Sequence, residues 1–381
     1  MAPELPPEEL AALLDADAEF VLVDTRTEES YEAWHVRGAY NYPYKPDEPL
    51  SEDPLDALGV GDVKRVVTVC AKGVSSGALA DALLDRGYVA ANVADGMRGW
   101  SRVYEAVPVA RTARAEVVQV QRRAKGCLSY VVGCPETSEA VVVDASRHGD
   151  VYRETLSRLG YEAVGVLDTH VHADHVSGGR ALATALDVPY YLPECARERG
   201  VAVEYEALSR NEVLPVGDLD VKALSTPGHT TEMTSYLVDG TAVLTGDSLF
   251  VESVGRTELE FDEGEAAADG ARMQYRSLHE TLVAQPDDVL VCPAHVGVAA
   301  DGTWAASHPG WPVRARVGDL RTGLDLLGLD EERFVAELEE RLPEKPPNYE
   351  RVIAVNRGRE SIPAEPEATD LELGPNQCSA G

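Results

Sequence analysis

The stretch DTHVHADHVSGG (168–179) follows the apolar run YEAVGVL and packs four metal-ligating side chains, His170, His172, Asp174 and His175, into six residues. An apolar run that ends just before a histidine reads as a buried strand, so His170 and His172 fall at one loop mouth and Asp174 and His175 at its continuation. Three more groups stand in the same setting downstream: His229 in TPGHT, Asp247 in LTGDSLF and His295 in CPAHVG, each after an apolar strand-like segment. Loops at one edge of a scaffold bring such distant groups together. Buried imidazoles and carboxylates need partners, so separate structural roles for five of the nine histidines and two strand-end aspartates are an expensive explanation. A metal centre is the simpler one. His35, His148, His279 and His308 share no such spacing and are assigned no metal.

Outward from this stretch, LSYVVG (128–133), EAVVVDA (139–145), DVKALST (220–226), SYLVDG (235–240), TAVLTGD (241–247) and DDVLVCPAH (287–295) read as strands. Shorter helical patterns, VYRETLSRLG and GRALATALD, lie between them, and DEERFVAELEERL (330–342) reads as an acidic helix. Two sheets covered by helices are expected. The first hundred residues have another rhythm: FVLVDT (20–25), VVTVC (66–70) and YVAANV (88–93) alternate with SSGALADALLDRG (75–87), an alanine- and leucine-faced helix ending at a glycine. The chain is therefore read as α/β class with two domains, 1–110 and 111–381, joined near VPVARTARAEVV (107–118).

The 381 residues hold 66 acidic against 34 basic side chains, a formal charge of −32. That field repels nucleic acid and anionic membranes, so neither is expected as a partner. Only six of the basic residues are lysines and the acids are spread throughout, as suits a high-salt, halophilic cytoplasm where screening weakens self-repulsion. The opening MAPELPPEELAALL has no secretory pattern, no apolar run reaches membrane-spanning length, and the six cysteines form no paired spacing. A reduced cytoplasmic protein is expected.

CAKGVSS (70–76) places Cys70 between an apolar strand and a helix. A short loop there aims backbone N–H groups at the sulfur and lowers its pKa. Lys72 adds charge, Gly73 permits a tight backbone, and Ser75 and Ser76 add hydroxyls, making an anion nest around a nucleophile. Together VDTR (23–26), EESYEAWHVRGA (28–39), CAKGVSSGALA (70–80) and DGMRGW (95–100) resemble a rhodanese domain over about residues 10–105. The resemblance implies sulfane-sulfur transfer through a Cys70 persulfide, with Asp24 and Arg26 as framework residues and Trp34 and Trp100 as packing residues.

HVHADH, PGHT, TGD and PAH, in that order, resemble the metallo-β-lactamase superfamily over roughly residues 115–300. This implies an αββα sandwich with a metal site between sheet edges. Two activities remain open. Likeness to the persulfide dioxygenases places one Fe(2+) per chain on His170, His229 and Asp247, with His172, Asp174, His175 and His295 orienting ligands or water. The substrate would be a low-molecular-weight thiol persulfide, yielding sulfite and thiol. Likeness to glyoxalase II implies instead two Zn(2+), or mixed Fe/Zn, held by His170, His172 and His229 and by Asp174, His175 and His295, with Asp247 bridging, for thioester hydrolysis. Ligand count does not separate them. GRTE (255–258) resembles the dioxygenase segment, and a neighbouring rhodanese cysteine handles the same sulfane sulfur, from a donor or toward an acceptor. Arg256 either approaches an anionic substrate or supports the fold through a salt bridge. Members of this superfamily also suggest a homodimer or homotetramer.

Overall fold

The computed structural model describes residues 1–46, 49–50, 65–261, 265–341 and 345–380. Its first sheet contains β1 (Glu4–Leu5), β2 (Val21–Asp24), β3 (Ala39–Asn41), β4 (Arg65–Val69) and β5 (Val89–Val93) in the order β1-β5-β4-β2-β3. All of these pairings are parallel. Helices cover both faces, so the strands read as continuous apolar runs, yet their period of two still sorts the side chains. Leu22, Val67 and Val69 face Leu10, Trp34, Met97 and Trp100, while Val21, Val23 and Val66 face Leu79, Ala80 and Leu83. The last three lie on the helix Val74–Leu84, near the span its alanine and leucine pattern suggested.

The second sheet runs β12-β11-β10-β9-β8-β7-β6: β6 (Tyr104–Arg111), β7 (Glu116–Arg122), β8 (Cys127–Cys134), β9 (Glu139–Val143), β10 (Glu162–Leu167), β11 (Tyr190–Pro193) and β12 (Glu206–Leu208). The third runs in chain order: β13 (Val213–Val216), β14 (Leu219–Ser225), β15 (Thr234–Val238), β16 (Ala242–Gly246), β17 (Leu290–Pro293) and β18 (Ala315–Arg316). Tyr104–Arg111, the last stretch of the expected first unit, pairs with β7 and is thus an edge strand of the second unit's sheet.

These two sheets stack. Val117, Val132, Val141, Val143 and Leu167 meet Val221, Tyr236, Val238, Leu244 and Cys292 between them. The alternate residues face outward under helices: Val142 and Val166 pack on Tyr152, Leu156 and Leu182, and Val243 and Val291 pack on Leu278, Leu282, Leu320 and Phe334. The result is the αββα sandwich expected. Truncating Leu244 to alanine in its centre should cost about 2–5 kcal/mol. The acidic helix spans Glu331–Glu340, opened by the Asp330 carboxylate, which accepts from the Arg333 N–H at 2.9 Å; residue 342 lies outside the described residues. Among the described residues no helix is long and apolar enough to cross a membrane.

Candidate functional site

Strand ends supply the metal-type ligands. β10 stops at Leu167 and delivers Asp168, Thr169 and His170; His229 lies beyond β14, Asp247 directly after β16, and His295 just after β17. His170, His229 and Asp247 bring their ligand atoms within 4.8 Å of one another, all buried. Asp247 Oδ2 is 3.7 Å from His170 Nε2 and 3.5 Å from His229 Nε2.

The outer nitrogens of both rings are already committed. The Thr169 hydroxyl donates to the Asp144 carboxylate (3.0 and 3.1 Å), so its oxygen accepts the Nδ1–H of His170 at 2.9 Å. The Arg256 carbonyl accepts the Nδ1–H of His229 at 2.6 Å. Each ring therefore turns its Nε2 lone pair toward Asp247. His170 Nε2 and Asp247 Oδ2 are buried without a hydrogen-bond partner, a disposition that a cation between them satisfies. Two imidazoles and one carboxylate suit iron(II) or zinc. Burial holds the His170 imidazole well below its ordinary pKa, hence neutral and able to ligate. Gly246 has φ +53°, and a Cβ there would lie 2.8 Å from Thr169 Oγ1, so a larger residue would displace the hydroxyl that orients His170.

The other four candidates are differently placed. His295 directs Nδ1 at Asp247 Oδ1 (2.6 Å) and Nε2 at Asp174 Oδ2 (3.1 Å). With a carboxylate at each nitrogen the ring donates twice; burial pulls its pKa down, but Asp247 and Asp174 raise it well above the ordinary value. His175 Nδ1 is 3.0 Å from Asp174 Oδ1, and this carboxylate outweighs burial to lift the imidazole to about 10. His172 joins Asp144 and Asp168 rather than the triad, with Nε2 3.2 Å from Asp144 Oδ1. Arg256 is fully buried, with its guanidinium against Glu258 and the Gln377 carbonyl. This geometry supports the salt-bridge role of the two expected for it, since a substrate would have to displace a buried ion pair to reach the guanidinium.

Several residues near the centre were not singled out from the sequence. Cys127 groups with Asp174, His175 and His295, and Cys378 with Asp247 and His295. Cys127 is carried there by the junction of β8 with the His295 loop, where the Leu128 N–H donates to the Ala294 carbonyl at 2.7 Å. The Asn356 side-chain amide donates to the carbonyls of His172 (2.9 Å) and His175 (2.8 Å). Asp144 ends the apolar run EAVVVDA just as Asp247 ends its own, a signal that could have found it. Nothing in the spacing marks Cys127 or Cys378. A cavity of about 610 Å³ borders Asn356, Arg180 and Arg359, but none of the seven candidate metal ligands lines it.

The Cys70 site is local. Cys70 follows β4 and is buried, and Gly73, at φ +84°, opens the helix Val74–Leu84. Burial pushes the thiol up, yet hydrogen bonds from Ser75, Ser76 and the backbone at Ser76 and Lys72 outweigh it and bring the pKa below its ordinary value. Lys72 is exposed, so its backbone rather than its ammonium belongs to the nest. The Cys70 carbonyl accepts from the Met97 N–H at 2.8 Å. Gly96 allows this closeness, since a Cβ there would lie 2.1 Å from that oxygen. Arg26 bridges Asp24 and the Trp34 carbonyl, both at 2.6 Å, fixing the neighbouring loop, and Trp34 and Trp100 sit in the core.

The rhodanese-like domain family matches residues 6–103, and the metallo-beta-lactamase superfamily matches residues 122–295. The chain is 28% identical over 176 residues to the mitochondrial persulfide dioxygenase ETHE1 of Mus musculus, covering 45% of this chain and 65% of that protein. It is 31% identical over 176 residues to the probable hydroxyacylglutathione hydrolase glo2 of Schizosaccharomyces pombe, covering 44% and 62%. The match thus spans just under two thirds of these curated relatives' length. The crystal structure of ETHE1 from Myxococcus xanthus superposes with a TM-score of 0.54 at 25% identity, covering 64% of this chain and 98% of that one. The chain therefore consists of an N-terminal rhodanese-like domain followed by a domain of the metallo-beta-lactamase superfamily, homologous to both persulfide dioxygenases and glyoxalase II enzymes.

Proposed function

We propose that this protein oxidises a low-molecular-weight thiol persulfide to sulfite and the parent thiol at one Fe(2+) held by His170, His229 and Asp247, with sulfane sulfur moved through Cys70. The observation that carries this reading is the contrast in hydrogen bonding. His170 Nε2 and Asp247 Oδ2 are buried and unpartnered within the triad, whereas Asp174, His175 and His295 are already paired with one another; both His172 nitrogens also lack a hydrogen-bond partner, but that ring lies 3.2 Å from Asp144 and groups with it outside the triad. One strong cation position follows more naturally than two. The reaction consumes one dioxygen and one water per persulfide and releases two protons, the outer sulfur giving up four electrons to oxygen. Bound iron would supply the redox chemistry and open positions for the reactants.

The chain's own groups do the rest. Thr169 and the Arg256 carbonyl fix the two ligating rings, and His295 occupies Asp247 Oδ1 so that Oδ2 is the oxygen left for the metal. At the other site, the hydrogen bonds at Cys70 favour its thiolate, which attacks the sulfane sulfur of a donor and holds it as a persulfide. All six cysteines are unbridged, which supports a reducing compartment such as the cytoplasm.

The second reading is a glyoxalase II-like hydrolase with two Zn(2+) or mixed Fe/Zn, favoured by the mutual approach of Cys127, Asp174, His175 and His295 within 4.8 Å. Metal analysis of anaerobically purified protein at high salt, paired with oxygen uptake on a small-thiol persulfide, separates the two. About one iron per chain with sulfite release supports the dioxygenase. About two metals with thioester hydrolysis and no oxygen uptake supports the hydrolase.

A further inference from the structure

We propose that Lys125 sets the number of cations the centre holds: its buried ammonium takes the place in the charge balance that a second metal would take among Cys127, Asp174, His175 and His295. This inference rests on the single-iron reading above and names the residue behind that count.

The four side chains bring their ligand atoms within 4.8 Å of one another, all buried, so ligand supply alone does not exclude a second ion. The surroundings of Asp174 are what oppose it. Its Oδ1 faces His175 Nδ1 at 3.0 Å, and its Oδ2 faces His295 Nε2 at 3.1 Å, the Cys127 sulfur at 3.4 Å and the Lys125 ammonium at 4.0 Å. Imidazole and thiol are metal-ligating groups, so three of these neighbours could turn to coordination. An ammonium has three N–H donors and no acceptor. It remains a positive charge beside any ion bound through Asp174 Oδ2.

Lys125 is held in that position by a turn with few alternatives. RRAKGC (122–127) joins β7 to β8, and the N–H groups of Lys125 and Gly126 both donate to the Arg122 carbonyl, at 3.1 and 2.8 Å. Of the three cations in the turn, Arg122 lies 3.0 Å from Glu372 and Arg123 lies 2.6 Å from Glu105, which leaves Asp174 to Lys125. The Val296 N–H donates to the Gly126 carbonyl at 3.0 Å, and the Asn376 side-chain amide donates to the Lys125 carbonyl at 2.7 Å. Gly126 has φ +78°, and a Cβ there would lie 2.4 Å from the Val296 carbonyl oxygen, so the turn seats directly on the His295 loop. The Lys125 side chain is buried, with the Gly374 carbonyl at 3.5 Å as its other contact.

Burial makes the charge count. Salt and water screen little between buried charges, so the ammonium repels a neighbouring dication far more strongly than it would at the surface. It also offsets the carboxylate whose attraction the second ion would need. Asp247 Oδ2, by contrast, faces two imidazole Nε2 atoms, those of His170 and His229, at 3.7 and 3.5 Å, and both can turn a lone pair to a metal.

The test counts metal rather than turnover. The full chain is stripped with a chelator, given excess Fe(2+) or Zn(2+) without oxygen, freed of loose metal and analysed for metal per chain. Competition with a chromophoric chelator gives the affinity for each equivalent. The unmodified protein should keep one. Lys125→Met, and Lys125→Gln, which retains a donor for the Gly374 carbonyl, should keep two, the second bound at least about tenfold more tightly than in the unmodified protein. Lys125→Arg restores the charge and should return the count to one. Retention of the first equivalent shows that the centre has formed in a variant, and one folded neutral variant is enough. A second equivalent no tighter in the neutral variants, or as tight in Lys125→Arg as in Lys125→Met, overturns the role of Lys125 and leaves the single-iron reading standing. Two tight equivalents in the unmodified protein overturn both.

Discussion

The Cys70 loop and the histidine centre solve the same problem, holding a reactive sulfur or a cation away from water, by opposite constructions. Cys70 gets its hydrogen bonds from residues 72–76 of its own loop and helix start. The metal centre gathers side chains from strand ends between Cys127 and His295, and from the tail at Cys378. A site made from one segment needs only its own turn to be formed. A site made from many depends on two stacked sheets and on everything that holds them in register.

That contrast makes the two sites separable. Replacing Cys70 by serine should abolish sulfur transfer from a sulfane donor while oxygen uptake with a preformed small-thiol persulfide persists; loss of both in a folded protein would defeat the division. Asp247→Asn should do the reverse, cutting metal content and oxygen uptake at least about a hundredfold while Cys70 remains reactive to alkylation. Unchanged metal content in that variant would remove Asp247 from the ligand set.

Glu372 tests the dependence on the tail. Its buried carboxylate lies 3.0 Å from Arg122 and 3.1 Å from Arg147, and it accepts from the Val176 N–H at 2.7 Å. Burial raises its pKa, but the two guanidinium groups more than offset this and bring it down to about 2. Because the folded value lies below the unfolded one, its stabilisation is present above about pH 4.5 and is lost as pH falls toward about 2. Glu372→Gln leaves buried guanidinium groups short of their partner and should lower unfolding free energy by about 3–5 kcal/mol near neutrality. Urea titrations should show that gap closing in acid; an equal gap at all pH would contradict the ion pair. The smallest effect concerns a ring's orientation. Thr169→Val should weaken metal binding by about 10–100-fold and Thr169→Ser should restore it, as measured by competition with a chelator.

The same contrast decided how much could be read from the chain. CAKGVSS is contiguous, so the nest around Cys70 was legible almost residue by residue, apart from the exposed ammonium of Lys72. The strands with unbroken valine and leucine runs, β2, β4, β8 and β9, were legible because burial on both faces leaves no polar interruption. The short edge strands β12 and β13 were not, since residues such as Glu206 and Val213 are partly solvated and their pairing is set by tertiary contact. Among the site residues, strand-end position revealed which side chains approach the centre but not how they divide. The turning of His172 to Asp144, the double engagement of His295 and the contact of Arg256 with the Gln377 carbonyl all depend on partners far away in sequence.

Asp144 carries a consequence of its own. It accepts from Thr169, which orients His170 for a first cation, and it also engages His172, which keeps that ring from joining the triad. One carboxylate thus favours occupancy of one position and withholds a ligand from another. On a scaffold whose homologues include both a dioxygenase and a hydrolase, one carboxylate thus decides which imidazole faces the triad and which faces away from it.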